Sequence, residues 1–454
     1  MSFPENFVWG TAAASYQIEG AAAVDGKGPS VWDMLCRKEG AVYDGNTGEV
    51  ACDHYHRYAE DVGLLKSMNV KAYRLSISWP RVLPTGTGPS NEAGLDFYDR
   101  LIDALLAAGI TPWVTLFHWD FPLELYYQGG WLNRDSADWF AEYATVVARR
   151  LGDRVTHWMT LNEPQVYINA GHLEGRHAPG DKLAFHEVLR AAHNTLRAHG
   201  RGVQALRAMS PGPCRVGYAP ASHPKVPASD APADVEAARR AFFATTGKHL
   251  ATMSWWLDPV FLGKYPEDAW SYFGRDVPHV LAGDLELISQ PVDFFGVNIY
   301  AGDRIRATPG GGFERVPFPP GHPRTAFNWP IVPEAMYHTT RFCHDRYKKP
   351  IVITENGISC TDSVDLDGRV RDPLRIDFTR RYLLQLERAI DAGVPVEGYF
   401  HWSFIDNFEW ADGYKQRFGL VHCDYATGTR TPKDSSKWYA EVIRTNGASL
   451  RAGG

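Results

Sequence analysis

Ile351-Val352-Ile353-Thr354-Glu355-Asn356-Gly357 is the stretch whose reading decides the fold. Its first four residues, mostly β-branched, predict a buried strand, and Gly357 marks the strand's end. A carboxylate therefore stands where a strand runs out into a loop. Burying that charge unpaired is costly, so Glu355 must face something polar. His157-Trp158-Met159-Thr160-Leu161-Asn162-Glu163-Pro164 has the same grammar. Strand formers lead to a glutamate, and then to a proline that cannot continue a ladder.

Outward from these two stretches the chain keeps one rhythm. Strands are expected over 7–12, 70–77, 110–117, 157–162, 215–218, 293–298, 351–354 and 396–402. Helices are expected over 53–68, 96–108, 137–151, 184–208, 235–252, 332–347 and 376–392. The Gly/Pro-rich segment 302–333 carries little helical or strand pattern and suits an active-site rim. Eight alternations of strand with helix or long loop predict an α/β fold. It is a single (β/α)8 TIM barrel, one catalytic domain over 1–454, with long βα loops forming the rim. A doubly wound sheet is the competing architecture. Trp9-Gly10-Thr11-Ala12-Ala13 lacks the Gly-rich phosphate turn which that fold places after its first strand. In a barrel, Arg74, His118, Glu163, Asn298, Glu355 and Trp402 converge on one mouth, from strands 2, 3, 4, 6, 7 and 8. His54 and His56 are two apart on a helix and point in different directions, so they suit core or cap roles and not a chelate.

Composition narrows the function further. With 454 residues, 44% of them hydrophobic, the chain can bury a large core, and a net charge of −6 leaves no basic footprint for nucleic acid or an anionic membrane. Aromatic residues make up 13%, including 15 Trp. Most belong to the core, but flat rings also suit the C–H faces of sugars. Cys36, Cys52, Cys214, Cys343, Cys360 and Cys423 form no CxxC pair and no zinc-like spacing. The first residues show no basic start followed by an apolar stretch, and no apolar run approaches about 18 residues. A cytoplasmic protein with free thiols is expected.

Two carboxyls facing each other across a barrel mouth suit glycoside cleavage. One protonates the leaving oxygen, and the other attacks the sugar or activates water. Separations of about 5–5.5 Å retain configuration and about 6.5–9.5 Å invert it, a choice the sequence leaves open. Arg74 is expected to lower the pKa of Glu355 and keep it ionised, with Tyr300 donating to the same group. The charge on Glu355 is expected to raise the pKa of Glu163, so that it keeps the proton a general acid needs.

Thr160-Leu161-Asn162-Glu163-Pro164 and Ile353-Thr354-Glu355-Asn356-Gly357 resemble the two signatures of glycoside hydrolase family 1, the β-glucosidase family. Residues 7–20, 73–81 (YRLSISWPR), 401–410 (HWSFIDNFEW) and 430–433 extend the resemblance end to end. It implies a retaining exo-β-glycosidase with Glu355 as nucleophile and Glu163 as acid/base. Arg74 and Tyr300 would position the nucleophile, and Asn162 would contact the sugar 2-hydroxyl. Gln17, His118, Trp119, Glu409 and Trp410 match the ring that grips the other hydroxyls. Trp402 matches the stacking platform, and Asn298 lines the same region. Trp329 resembles the aromatic beside the leaving group, and Phe418 the residue near the 6-position. Glu409-Trp410 differs from the Ser/Lys/Tyr set of the phospho-glycosidase branch, and Glu163 is not replaced by Gln as in plant thioglucosidases. Gln165 stands where many bacterial relatives carry Trp, which bears on aglycone preference.

The expected substrate is a small β-glucoside or a short β-linked oligosaccharide, with galactosides and fucosides as further substrates. No cofactor, metal, nucleic acid or membrane partner is expected. A transglycosylase would use the same residues with an alcohol in place of water. A non-catalytic sugar-binding relative would lack one carboxylate, and both are present here. The 17 His show no ligand cluster that would support a metalloenzyme.

Overall fold

Eight parallel strands close on themselves in this computed structural model, which describes residues 3–451. They are β1 (Val8–Ala12), β2 (Ala72–Ser76), β3 (Thr111–Phe117) and β4 (His157–Asn162). They continue with β5 (Arg215–Ala219), β6 (Phe294–Asn298), β7 (Ile351–Asn356) and β8 (Val396–Trp402). Each strand pairs with its neighbours in sequence, and β1 pairs with β8 to complete the ring. This is the (β/α)8 barrel expected from the alternation.

Side-chain alternation divides the strands between two cores. Tyr73 and Leu75 point outward to the helices, while Ala72 points inward. The interior is plugged by Trp113, Met159, Phe294, Val352 and Phe400, with small residues such as Ala12 between them. Trp113 packs 5.4 Å from Phe294 and 5.1 Å from Phe400 between ring centroids. Gly10 makes room for this plug, because a Cβ there would lie 2.4 Å from the Phe400 ring. The barrel is thus solid below and can hold a site only at its mouth.

The helices form where apolar residues recur at helical spacing. Ser136–Leu151 buries Phe140, Tyr143, Ala144, Val147, Ala148 and Leu151 on one face. From that face the Tyr143 hydroxyl donates to the carbonyls of Ile77 and Leu116, at 2.9 and 2.8 Å, tying the helix to the ends of β2 and β3.

Two expectations are corrected. The helix expected over 235–252 ends at Phe243, and a second helix runs over Met253–Leu262. Thr245, Thr246 and Gly247 are poor helix formers, and the Thr245 amide donates to Asp268 instead of continuing the ladder. Pro259 disguises the second helix in the sequence. The segment 302–333 is not simply a loop. Asp303–Ala307 and Phe313–Val316 pair as a hairpin, and Lys225–Pro227 joins its edge in parallel. These strands are three to five residues long, and Arg306, Glu314 and Arg315 face solvent, so they lack the apolar run that marks a strand.

Candidate active site

The ends of β4 and β7 differ from ordinary strand ends in backbone geometry. The pairing of β7 slips between Ile353 and Glu355 on the β6 side and between Ile353 and Asn356 on the β8 side, irregularities that re-aim the carboxylate. Beyond it the chain passes so close to β8 that a Cβ on Gly357 would lie 1.7 Å from the Trp402 carbonyl oxygen. Glu163 takes a left-handed backbone with φ of 48°, a conformation worth about 1–3 kcal/mol of strain in a residue with a side chain. Its amide donates to the Ala219 carbonyl, and Pro164 begins the helix Pro164–Ile168 where no amide donor is needed. Trp119 and Trp410 share the left-handed backbone.

Hydrogen bonds join the two carboxyls through one chain of amides. Arg74 Nη1 donates to Glu355 Oε1 at 2.5 Å, and the Tyr300 hydroxyl donates to Oε2 at 2.7 Å. Arg74 Nη2 donates to Asn162 Oδ1 at 2.6 Å. Asn298 Nδ2 donates to that same oxygen at 3.1 Å and to Glu163 Oε1 at 2.8 Å. Thr354 Oγ1 fixes the orientation of Asn298 by donating to its Oδ1 at 2.6 Å. Asn162 Nδ2 donates to His118 Nε2 at 3.0 Å, which requires a neutral imidazole. Burial, then the charge of Arg74, holds His118 well below its ordinary pKa and supplies that state.

Both glutamates are buried, at 8% and 3% exposure for Glu163 and Glu355, and their environments are unequal. Burial first and the charge on Glu355 second push Glu163 up to about 8. Among the described residues only Asn298 donates to it, and no cation is bonded to it. Burial also raises Glu355, against the charge and hydrogen bond of Arg74 and the Tyr300 hydroxyl. Arg74 lowers the pKa of Glu355 as expected, but desolvation outweighs the cation and leaves the group above its ordinary value. The order of the pair stands, since the bonded cation makes Glu355 the member that ionises first.

Above the carboxyls opens a cavity of about 620 Å³, in the range of small-molecule sites. His118, Trp119, Glu163, Tyr300, Trp329, Glu355, Trp402, Glu409, Trp410 and Phe418 all line it. Arg74, Asn162 and Asn298 sit behind that wall as supports. So does Gln17, whose Nε2 donates to Asn407 Oδ1, to the Phe408 carbonyl and to Glu409 Oε2. Its own buried Oε1 has no partner among the described residues. His118 stacks between Trp402 and Trp410, 5.7 and 6.0 Å away. Trp119 Nε1 donates to the Asn162 carbonyl at 2.9 Å. Burial, with Asp412, Glu355 and Glu163 adding to it, raises Glu409 well above the carboxylate range.

The outer part of the cavity is lined by residues the sequence did not single out, among them His177, Phe242, His223, Lys225 and Phe327. Phe327 stacks on Trp329 at 4.7 Å and 9°, and its only sequence signal is that closeness to Trp329. Gln165 is turned away, donating to the Ala221 carbonyl at 2.5 Å, and Ala221 and Ser222 face the cavity in its place. His54 bonds Asp61 in the core, and His56 bonds Asp53 at the helix start. Among the described residues no three His, Cys, Asp or Glu side chains are grouped so as to hold a metal ion.

A family model described as glycosyl hydrolase family 1 matches residues 1–448. The chain belongs to glycosyl hydrolase family 1. This is a family of retaining O-glycoside hydrolases, and the family 1 chain has full-length relatives in it. It is 46% identical over 451 residues to the 1,4-beta-D-glucan glucohydrolase of Thermotoga neapolitana, covering 98% of this chain and 99% of the other. It is 45% identical to beta-glucosidase A of Thermotoga maritima, covering 98% of each. The solved T. maritima beta-glucosidase in complex with glucoimidazole superposes with a TM-score of 0.90 at 44% identity, covering 98% of this chain and 99% of that one.

Proposed function

We propose that this family 1 chain is a retaining exo-β-glucosidase that releases terminal non-reducing β-D-glucosyl residues from small glycosides, through an ester on Glu355. Glu355 attacks the anomeric carbon. The bond from that carbon to the aglycone oxygen breaks as Glu163 gives the oxygen its proton. Glu163, now a carboxylate, takes a proton from water while the water oxygen attacks the same carbon. The ester breaks, Glu355 leaves as a carboxylate, and Glu163 is protonated again. Two inversions give net retention.

The observation that carries this reading is the unequal sharing of donors. Arg74 and Tyr300 are bonded to Glu355, whereas Glu163 accepts from the neutral Asn298 and is pushed up to about 8. A nucleophile must be bare and held still, and an acid must keep its proton near neutral pH. In this reading Asn162 serves the sugar 2-hydroxyl, Trp402 stacks under the ring, and Glu409, Trp410, His118 and Trp119, with Gln17 holding Glu409 from behind, serve its other hydroxyls, with Trp329 and Phe418 at its edges.

A relative in Bifidobacterium breve, 41% identical, is named a bifunctional beta-D-glucosidase/beta-D-fucosidase, which supports fucosides as further substrates here. The six cysteines are free thiols and fit work in the cytoplasm, and residues from Gln17 to Phe418 serve the site as one catalytic domain. The test is a pair of variants. Glu355→Gly should lose hydrolysis, and added azide or formate should restore turnover with inverted product. Glu163→Ala should still form the glycosyl-enzyme from substrates with good leaving groups and then break it down slowly. Inversion by the wild type, or azide rescue of neither variant, would overturn the assignment.

A further inference from the structure

A second cavity, of about 470 Å³, shares no lining residue with the sugar site. It lies between the helix Phe185–Met209, the stretch around Leu132 and Arg134, and the segment 275–281. Its walls carry Arg134, Arg190 and Arg275.

The carboxylates nearby are already engaged. Asp284 accepts hydrogen bonds from Arg134 at 2.5 Å, Arg197 at 3.0 Å and His193 at 3.0 Å. Asp276 accepts from Lys248 at 2.5 Å. The side chains of Arg190 and Arg275 make no hydrogen bond or ion pair among the described residues. Cations therefore outnumber carboxylates around this cavity, in a chain whose net charge is −6. Arg134 is balanced by Asp284, whereas Arg190 and Arg275 bring unpaired charge to the cavity, which an anion there would offset.

Part of the wall is set in advance. Arg134 is fixed by two bonds to Asp284, and Lys248 anchors the turn that presents Arg275. His186, Arg190 and His193 follow one another at helical spacing on one face of their helix. Guanidinium forks match the paired oxygens of a phosphoryl group. The cavity is far larger than a bare phosphate needs, and Leu132, Val277, Pro278 and Leu281 give part of it an apolar surface. We propose that it binds an organic phosphate, with the phosphoryl oxygens among Arg134, Arg190 and Arg275 and the body of the ligand against Pro278 and Leu281.

Calorimetric titration and thermal shift at constant ionic strength test this, with adenosine monophosphate, inorganic pyrophosphate and adenosine as probes. Adenosine monophosphate and pyrophosphate should bind saturably and raise the melting temperature, and adenosine should not. Arg190→Gln and Arg275→Gln, both exposed positions, should each weaken adenosine monophosphate at least tenfold while leaving aryl β-glucoside hydrolysis unchanged. Affinity retained in both variants would overturn the proposal. So would effects no larger than those of chloride at equal ionic strength, or binding of pyrophosphate without adenosine monophosphate.

Discussion

Between Glu163 and Glu355 the donors are divided unequally, and the pH behaviour of the enzyme follows from that division. Glu163 is pushed up to about 8, and burial leaves Glu355 above its ordinary value despite Arg74. A plot of kcat/KM against pH should be a bell whose alkaline limb falls near 8, from loss of the Glu163 proton. With a dinitrophenyl glucoside, whose aglycone leaves unaided, the alkaline limb should vanish in Glu163→Ala. Its persistence there would assign that limb to another group. Stability carries the same signature. An acid whose folded pKa is raised contributes most below its unfolded pKa, and that contribution is lost as pH rises toward the folded value. Glu163→Gln should therefore gain more in melting temperature at pH 8 than at pH 5. At this scale the sequence revealed the partners through strand-end position and motif. It did not reveal that desolvation outweighs Arg74 at Glu355, because burial depth is set by the whole rim.

The elements place these residues through a few close approaches. Gly357 lets β7 pass against the carbonyl of Trp402, so one backbone contact positions both the nucleophile's strand and the stacking platform. Gly357→Ala should force that contact apart, at about 1–3 kcal/mol of overpacking. A displacement of about 1 Å at the carboxylate should lower kcat/KM on the order of 100-fold. Gly212→Ala, with nothing within 4 Å of the added carbon, is the control and should leave the rate unchanged. Barrel strands and most helices were legible because their apolar periodicity is strong. The hairpin Asp303–Ala307 with Phe313–Val316 was not. Its pairing partner Lys225–Pro227 is remote in sequence, and its exposed faces are charged.

For the whole molecule, eight strand–helix alternations were enough to predict a closed ring and hence a single mouth where distant motifs meet. The outer half of the sugar cavity was hidden, since His177, His223, Lys225 and Phe242 come from separate loops with no shared pattern. On the proposed reading the field of the mouth also bears on substrate choice. A relative in Bacillus subtilis, 39% identical, is named an aryl-phospho-beta-D-glucosidase. In the proposed placement of the sugar, a 6-phosphate would approach Glu409, Asp412 and Glu355, where burial first and then negative charge already resist ionisation of Glu409. Aryl β-glucosides should be hydrolysed at least 100-fold faster than their 6-phosphates, judged by kcat/KM, and equal rates would contradict this placement. The most direct measurement uses a 2-deoxy-2-fluoro-β-glucosyl donor with a good leaving group, which slows release of the glycosyl-enzyme, followed by peptide mass spectrometry. The label should sit on Glu355 alone, with activity lost in step with labelling. A label on Glu163, or normal turnover with inverted product and no label, would contradict the account.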